Sequence, residues 1–167
     1  MTLKFDKYQG AGNDFVIVNN LDGKHDLSGE QIARLCDRRF GIGADGLILV
    51  EKSNDADFAM KFYNSDGKTA SMCGNGGRCI ARYAFDNGIA AKTMKFAAED
   101  GLHEAEIIDS ENVRIKMINV GNVNVFDDGM WANTGVPHFV KFVDDIDKVD
   151  IATEGRKLAD DKRFAPD

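Results

Sequence analysis

The sequence predicts an α+β fold. Many short stretches either alternate apolar and polar residues with period two or run apolar for four residues. Only a few segments keep helical spacing, and Gly-, Asn- and Asp-containing turns separate the pieces. At 167 residues the chain holds one ordinary domain or two small lobes.

In chain order, Leu3, Phe5 and Lys7 alternate and Phe15-Val16-Ile17-Val18 is continuously apolar; both read as strands, joined by the turn Gly10-Ala11-Gly12-Asn13-Asp14. Ser28 and Gln31 form a capping box, in which each side chain satisfies a backbone N–H of the other's position. Ile32, Leu35 and Cys36 then keep helical spacing to Arg39, with Gly41 as the stop. Leu47-Ile48-Leu49-Val50 reads as a buried strand, Phe58, Met60 and Phe62 alternate in the next, and Asn64-Ser65-Asp66-Gly67 is a turn. A second helix begins within Cys73-Gly74-Asn75-Gly76, turns Ile80, Tyr83 and Ala84 inward, and ends at Asn87-Gly88. Strands are expected at Met94/Phe96, from Leu102 to Ile108, and at Val113/Ile115/Met117. Gly121 to Asp128 reads as a crossing segment between lobes. Phe139/Val140 and a helix-compatible stretch from Thr153 to Asp161 follow it, and no internal repeat or low-complexity segment is present.

Composition narrows the function classes. The net charge is -7 and no basic stripe occurs, so nucleic acid is not an expected partner, although a small anion held by local donors remains compatible. No apolar run approaches the roughly 18–20 residues of a membrane helix, and the N-terminus lacks the apolar centre of a signal peptide; a cytoplasmic protein is expected. Cys36, Cys73 and Cys79 are odd in number and read as reduced thiols. Cys73 and Cys79 are too far apart for the usual zinc spacing and lack companion ligands, so no metal is expected; Cys36 and Cys79 fall on apolar helix faces and read as core.

Two motifs mislead. Gly41-Ile42-Gly43-Ala44-Asp45-Gly46 matches the dinucleotide fingerprint, but that motif needs a strand before it and a helix after it, and here the order is reversed. Gly67-Lys68-Thr69 resembles the end of a P-loop, yet Phe62 occupies the position of the required first glycine.

The informative stretch is Met72-Cys73-Gly74-Asn75-Gly76-Gly77-Arg78-Cys79. Glycines let a ligand approach the backbone, and the unpaired N–H groups of a helix start attract a small carboxylate. The same positive end favours a thiolate at Cys73, making it a base or nucleophile. The pattern serves equally as a tight glycine turn with a buried cysteine. Asn13 and Asn64, in turns beside strands, suit turn chemistry on their own. His138 fits an acid/base helper or a satisfied structural histidine; His25 and His103, with polar neighbours, are expected in solvent.

Together these blocks resemble the diaminopimelate epimerase family. The resemblance runs through Lys7-Tyr8-Gln9-Gly10-Ala11-Gly12-Asn13-Asp14-Phe15, Gly41 to Gly46, Asn64-Ser65-Asp66-Gly67, Met72 to Cys79 and Pro137-His138. It implies two lobes, each a curled antiparallel sheet around a central helix: residues 1–118 as the first lobe and 119–167 as the incomplete start of the second. It also implies an isomerase that interconverts LL- and meso-diaminopimelate without pyridoxal phosphate or any other cofactor, in lysine and peptidoglycan precursor synthesis. Two cysteines act from opposite faces of the substrate α-carbon, one taking the proton and the other supplying one. By motif, Cys73 is the first of them, His138 is a supporting residue, and Asn13, Asn64, Gly74 and Asn75 contact the substrate. A homodimer is a further implication. Val136 replaces the Asn that usually precedes Pro-His, Gly46 stands where some members carry Gln, and no second Cys-Gly-Thr-Gly segment precedes Asp167. The 167 residues alone are therefore expected to be inactive. A proline- or hydroxyproline-type racemase, and a non-catalytic carboxylate-binding lobe, are the rival readings.

Overall fold

The computed structural model describes residues 2–164, which divide into two compact units, one up to Ile118 and one from Asn119. The first unit is built on a seven-stranded sheet whose spatial order equals its chain order: β1 (Asp6–Gly10), β2 (Asn13–Asn19), β3 (Gly46–Glu51), β4 (Phe58–Asn64), β5 (Thr93–Ala98), β6 (Gly101–Ile107) and β7 (Val113–Lys116). Helix α1 (Gly29–Cys36) connects β2 to β3, and α2 (Gly74–Asp86) connects β4 to β5.

The α+β class and the sheet curled on a central helix are as expected, with one revision. Pairs β2·β3 and β4·β5 are parallel, so the sheet is mixed rather than wholly antiparallel. The cause is the two helical connections. A helix carries the chain back along the sheet before the next strand begins, whereas the tight turns between β1 and β2 and between β5 and β6 reverse it.

Burial follows from the same layering. Phe15 and Ile17 of β2, Ile48 and Val50 of β3, and Phe58, Met60 and Phe62 of β4 pack with Ile80, Tyr83 and Ala84 of α2. The alternate residues Val16, Val18, Leu47 and Leu49 pack with Ile32 and Cys36 of α1. Strands covered on both faces need apolar residues at every position, which is why β2 and β3 read as continuous runs. Helix α2 touches β1, β2, β3, β4, β6 and β7, so the sheet curls around it. Phe58 and Phe96 stack at 5.6 Å across the β4·β5 pair, and Phe15 meets Phe62 edge-on at 5.8 Å.

Local chemistry explains most boundaries. The Ser28–Gln31 capping box is formed in both directions. Helix α1 stops at Cys36 rather than continuing to Arg39, because the Asp37 carboxylate accepts the N–H groups of Arg39 and Phe40 and turns the chain out. Strand β1 starts at Asp6, and Leu3 packs instead against the α1 cluster. His103 also departs from expectation. It is 1% exposed, stacked on Phe96 at 5.3 Å and bonded through Nε2 to Asp100 at 3.0 Å. Its place in β6, in phase with buried Ala105 and Ile107, puts it inside. His25 is half-buried, with its Nδ1 enclosed.

The second unit is an antiparallel meander of β8 (Val123–Phe126), β9 (Gly129–Asn133) and β10 (Pro137–Val140), then a 3-10 turn at Ile146–Lys148 and helix α3 (Ile151–Ala159). Part of the expected crossing segment is thus the strand β8. Phe126, Phe139 and Phe164 cluster under the Arg163 guanidinium, which forms a bidentate pair with Asp128 at 2.9 Å. None of this unit's described side chains is buried.

Candidate active site

Cys73 is the N-cap residue of α2. Gly77 N–H donates to the Cys73 carbonyl at 2.7 Å to start the helix, but the cysteine makes no side-chain cap bond to the backbone. The N–H groups of the first turn, Gly74 to Gly76, therefore have no intrahelical partner, and they sit at the positive end of a 13-residue helix. That end draws an anion and favours negative charge on sulfur placed beside it. Cys73 is half-buried, and its Sγ lies 3.6 Å from Asn13 Oδ1.

Asn13 opens β2, and its side chain is bonded at both ends. Nδ2 donates to Asp45 Oδ2 at 2.8 Å, and Oδ1 accepts from Asn75 Nδ2 at 3.3 Å as well as facing the Cys73 thiol. Asn75 in turn takes a bond from Arg78 on its Oδ1. Asp45 belongs to an ionic cluster that ties the β1–β2 turn to the loop after α1. Arg38 bonds Asp14 at 2.6 Å and Asp45 at 2.8 Å, and Lys7 bonds Asp14 at 2.7 Å. The Arg38 guanidinium holds the Asp14 carboxyl well below the usual carboxylate range, and the bond from Asn13 lowers Asp45 likewise.

Asn64 ends β4 at the same rim. Its register partner is Gly46, which is paired on its other side with Phe15 of β2. The side chain of Asn64 is exposed and takes no part in the Asn13–Asn75 network, while its backbone carbonyl receives Gly67 N–H at 2.9 Å. Gly46 has no room for a side chain, since a Cβ there would lie 2.6 Å from both the Phe62 ring and the Tyr63 carbonyl. Any contact a longer residue makes at that position is thus foreclosed by Phe62. The structure brings Cys73, Gly74, Asn75 and Asn13 into one cluster and sets Asn64 across Gly46 from β2.

His138 belongs to β10 in the second unit and is exposed. Its Nδ1 is 3.0 Å from both the Val136 carbonyl and Thr134 Oγ1. A carbonyl only accepts, so this geometry assigns the proton to Nδ1 and leaves Nε2 as the basic nitrogen. Val136 contributes through its backbone, the one feature that its apolar side chain does not alter.

Cys36 and Cys79 are each 3% exposed, and burial pushes both thiols up, Cys79 to about 11. Among the described residues, no three His, Cys, Asp or Glu groups converge as metal ligands, and no helix is long and apolar enough to cross a membrane. Sequence reading missed Asp45, Arg38 and Arg78 as parts of the cluster. The available signal was that three charged residues sit inside or beside the two glycine-rich blocks.

Solved structures place this fold among the racemases, epimerases and PhzF proteins. A PhzF-family phenazine biosynthesis protein from Bacillus anthracis aligns over 87% of this chain and 56% of its own, with a TM-score of 0.62 at 16% identity. A probable proline racemase from Agrobacterium radiobacter aligns over 92% and 53%, with a TM-score of 0.61 at 16% identity. At the level of sequence, residues 5–125 match the diaminopimelate epimerase family, and the chain belongs to that family. The diaminopimelate epimerases of Flavobacterium psychrophilum and Chlorobaculum tepidum are 46% and 42% identical to it, over 93% and 95% of its length. The chain spans 61% and 64% of those two relatives.

Proposed function

We propose that the chain forms the first lobe (1–118), and the opening of a second (119–167), of a cofactor-independent epimerase that interconverts LL- and meso-diaminopimelate in lysine and peptidoglycan precursor synthesis. The observation that carries this reading is Cys73 at the uncapped start of α2, with Asn13 and Asn75 beside its sulfur, in a chain of this family. The unpaired N–H groups of Gly74 to Gly76 suit the substrate α-carboxylate, and they also stabilise the charge that builds on it as the α-proton leaves. Cys73 as thiolate takes that proton from one face of the carbon. Asn13, Asn64 and Asn75 hold polar ends of the substrate, and the family resemblance gives His138 a supporting role.

Inversion requires an acid on the opposite face. Cys36 and Cys79 are enclosed in the core, so neither reaches the same carbon. The 167 residues by themselves are therefore expected to leave LL-diaminopimelate unchanged. The test joins this chain to the remaining C-terminal portion of the Flavobacterium psychrophilum relative and follows α-carbon deuterium incorporation in D2O. The expected result is exchange and inversion that fall by about 10²–10⁴-fold with Cys73→Ala. Binding of diaminopimelate without any exchange would instead establish a carboxylate-binding lobe, and exchange indifferent to Cys73→Ala would remove that residue from the chemistry.

A further inference from the structure

We propose that Asp45 is a positioning residue that acts through Asn13: it dictates which end of the Asn13 carboxamide meets the Cys73 sulfur. The inference rests on the role given above to Cys73. An ionised carboxylate only accepts hydrogen bonds, so the group facing Asp45 Oδ2 at 2.8 Å must be the amide nitrogen of Asn13. The carbonyl oxygen is then forced toward Cys73 Sγ at 3.6 Å and Asn75 Nδ2 at 3.3 Å.

The far end of the chain is set with equal strictness. Arg78 only donates, and it bonds Asn75 Oδ1, so Asn75 must turn its nitrogen to Asn13. Two carboxamides, each free in principle to flip, are thus bracketed by an anion and a cation and have one consistent arrangement. Asp45 is itself fixed: Arg38 bonds its Oδ1 at 2.8 Å, and its Oδ2 also receives Asp14 N–H at 3.1 Å. Charge at both ends polarises the bonds between them in the same sense.

The consequence falls on the Cys73 proton. A carbonyl oxygen beside the sulfur accepts S–H and opposes a thiolate, whereas an NH2 group there would do the reverse. The relay therefore presents the Cys73 sulfur with an acceptor for its S–H rather than with a donor.

Cys73 alkylation by iodoacetamide, measured at one fixed pH and assigned by peptide mass, tests this in the 167-residue chain and needs no turnover. A failure here is consequently distinct from a failure of the epimerase reading. Asp45→Ala removes the anion that holds the nitrogen end of the Asn13 amide, leaving only Asn75 to orient it, and is expected to raise the Cys73 rate by about twofold to fivefold, the scale of one weak net hydrogen bond. Asn13→Ala should raise it similarly. In the double variant, Asp45→Ala should add nothing, because its only route to the sulfur is gone. If Asp45→Ala does not fold, Asp45→Asn carries the same test, since an amide at 45 no longer dictates the orientation; a smaller rise of the same sign is expected, again only with Asn13 present. An Asp45 effect of equal size with and without Asn13 would mean general loosening of the loop, and would overturn the proposal. No effect of either Asp45 variant on the Cys73 rate would overturn it as well.

Discussion

Gly41→Ala tests why the glycine-spaced block from Gly41 to Gly46 exists. Gly41 lies against the last turn of α1, and a Cβ at that position would sit 2.0 Å from the Arg34 carbonyl oxygen and 2.7 Å from that of Leu35. Both obstacles are backbone, so relief requires moving the loop bodily by more than about 1 Å to reach ordinary contact distances. The same loop satisfies the open carbonyls of the helix end: Ile42 and Gly43 N–H donate to Leu35 at 2.8 and 3.1 Å, and Ala44 N–H to Cys36 at 3.0 Å. Weakening three such bonds at roughly 1 kcal/mol each, less about 0.4–1 kcal/mol from the stiffer unfolded chain, gives a loss of about 2–3 kcal/mol. With a urea slope near 2 kcal/mol/M, the midpoint should fall by about 1–1.5 M. Tyr8, Tyr63 and Tyr83 all belong to the first unit and the single tryptophan, Trp131, to the second, so near-UV tyrosine dichroism follows the relevant unfolding. Gly12→Ala is the control. Gly12 has φ +82 and nothing within 4 Å of an added Cβ, so it tests left-handed strain without a clash and should cost about 1–2 kcal/mol. A Gly41→Ala midpoint within 0.2 M of wild type (about 0.4 kcal/mol) would refute the close-approach account of this block.

The remaining predictions concern the titrating groups of the first unit. Cys73 should be alkylated before Cys36 and Cys79 at every pH below about 9, because the other two thiols are buried and shifted upward, Cys79 to about 11; early labelling of either in the folded chain, read by peptide mass, would contradict the site assignment. Asp14 and Asp45 have carboxyls lowered by their partners, so their contribution to stability is complete above the unfolded carboxylate value of about 3.9 and drains away as pH falls through the folded values. The urea midpoint should therefore drop between pH 5 and pH 3, and Asp14→Asn should flatten that slope; parallel slopes for the two proteins would show that the Lys7–Asp14–Arg38 cluster does not stabilise the fold.

What the sequence disclosed depended on how local the cause was. The Ser28 cap, the start of α2 at Cys73 and the two-sided burial of β2 and β3 rest on neighbours within a few residues, and each was legible. The reversed strand–helix order around Gly41 to Gly46 was legible for the same reason. The parallel pairings were not, since direction is set by where a connection returns the chain. Partnerships such as Asn13 with Asp45 join positions 32 apart and leave no periodic trace. His103 could have been found: it keeps phase with Ala105 and Ile107, and a neighbouring acid marked it as polar only because Asp100 was not recognised as its partner. The exposed meander of the second unit has little buried alternation to read, and β8 was accordingly taken for a connection.

The position of the cluster follows from the strand directions. Because β2 and β3 are parallel, both begin at the same rim, which places Asn13 and the residues just before Gly46 side by side. Strand β4 is antiparallel to β3 and so ends at that rim, delivering Asn64 opposite Gly46. The hairpin-like turn that follows, closed by the Tyr63↔Thr69 bridge, brings the chain back before it enters α2. The helix must then run away from the rim beneath the sheet to reach β5, which is parallel to β4. Its N-terminus is thereby left at the rim, the only end of α2 that carries positive potential. Cys73 needs no dedicated loop to meet Asn13: two parallel pairings and one antiparallel pairing bring them together. Reversing the β2·β3 connection would send the end of β4 and the start of α2 to the opposite rim, leaving the helix C-terminus on the Asn13 side, where it would repel the anion that the N-terminus attracts.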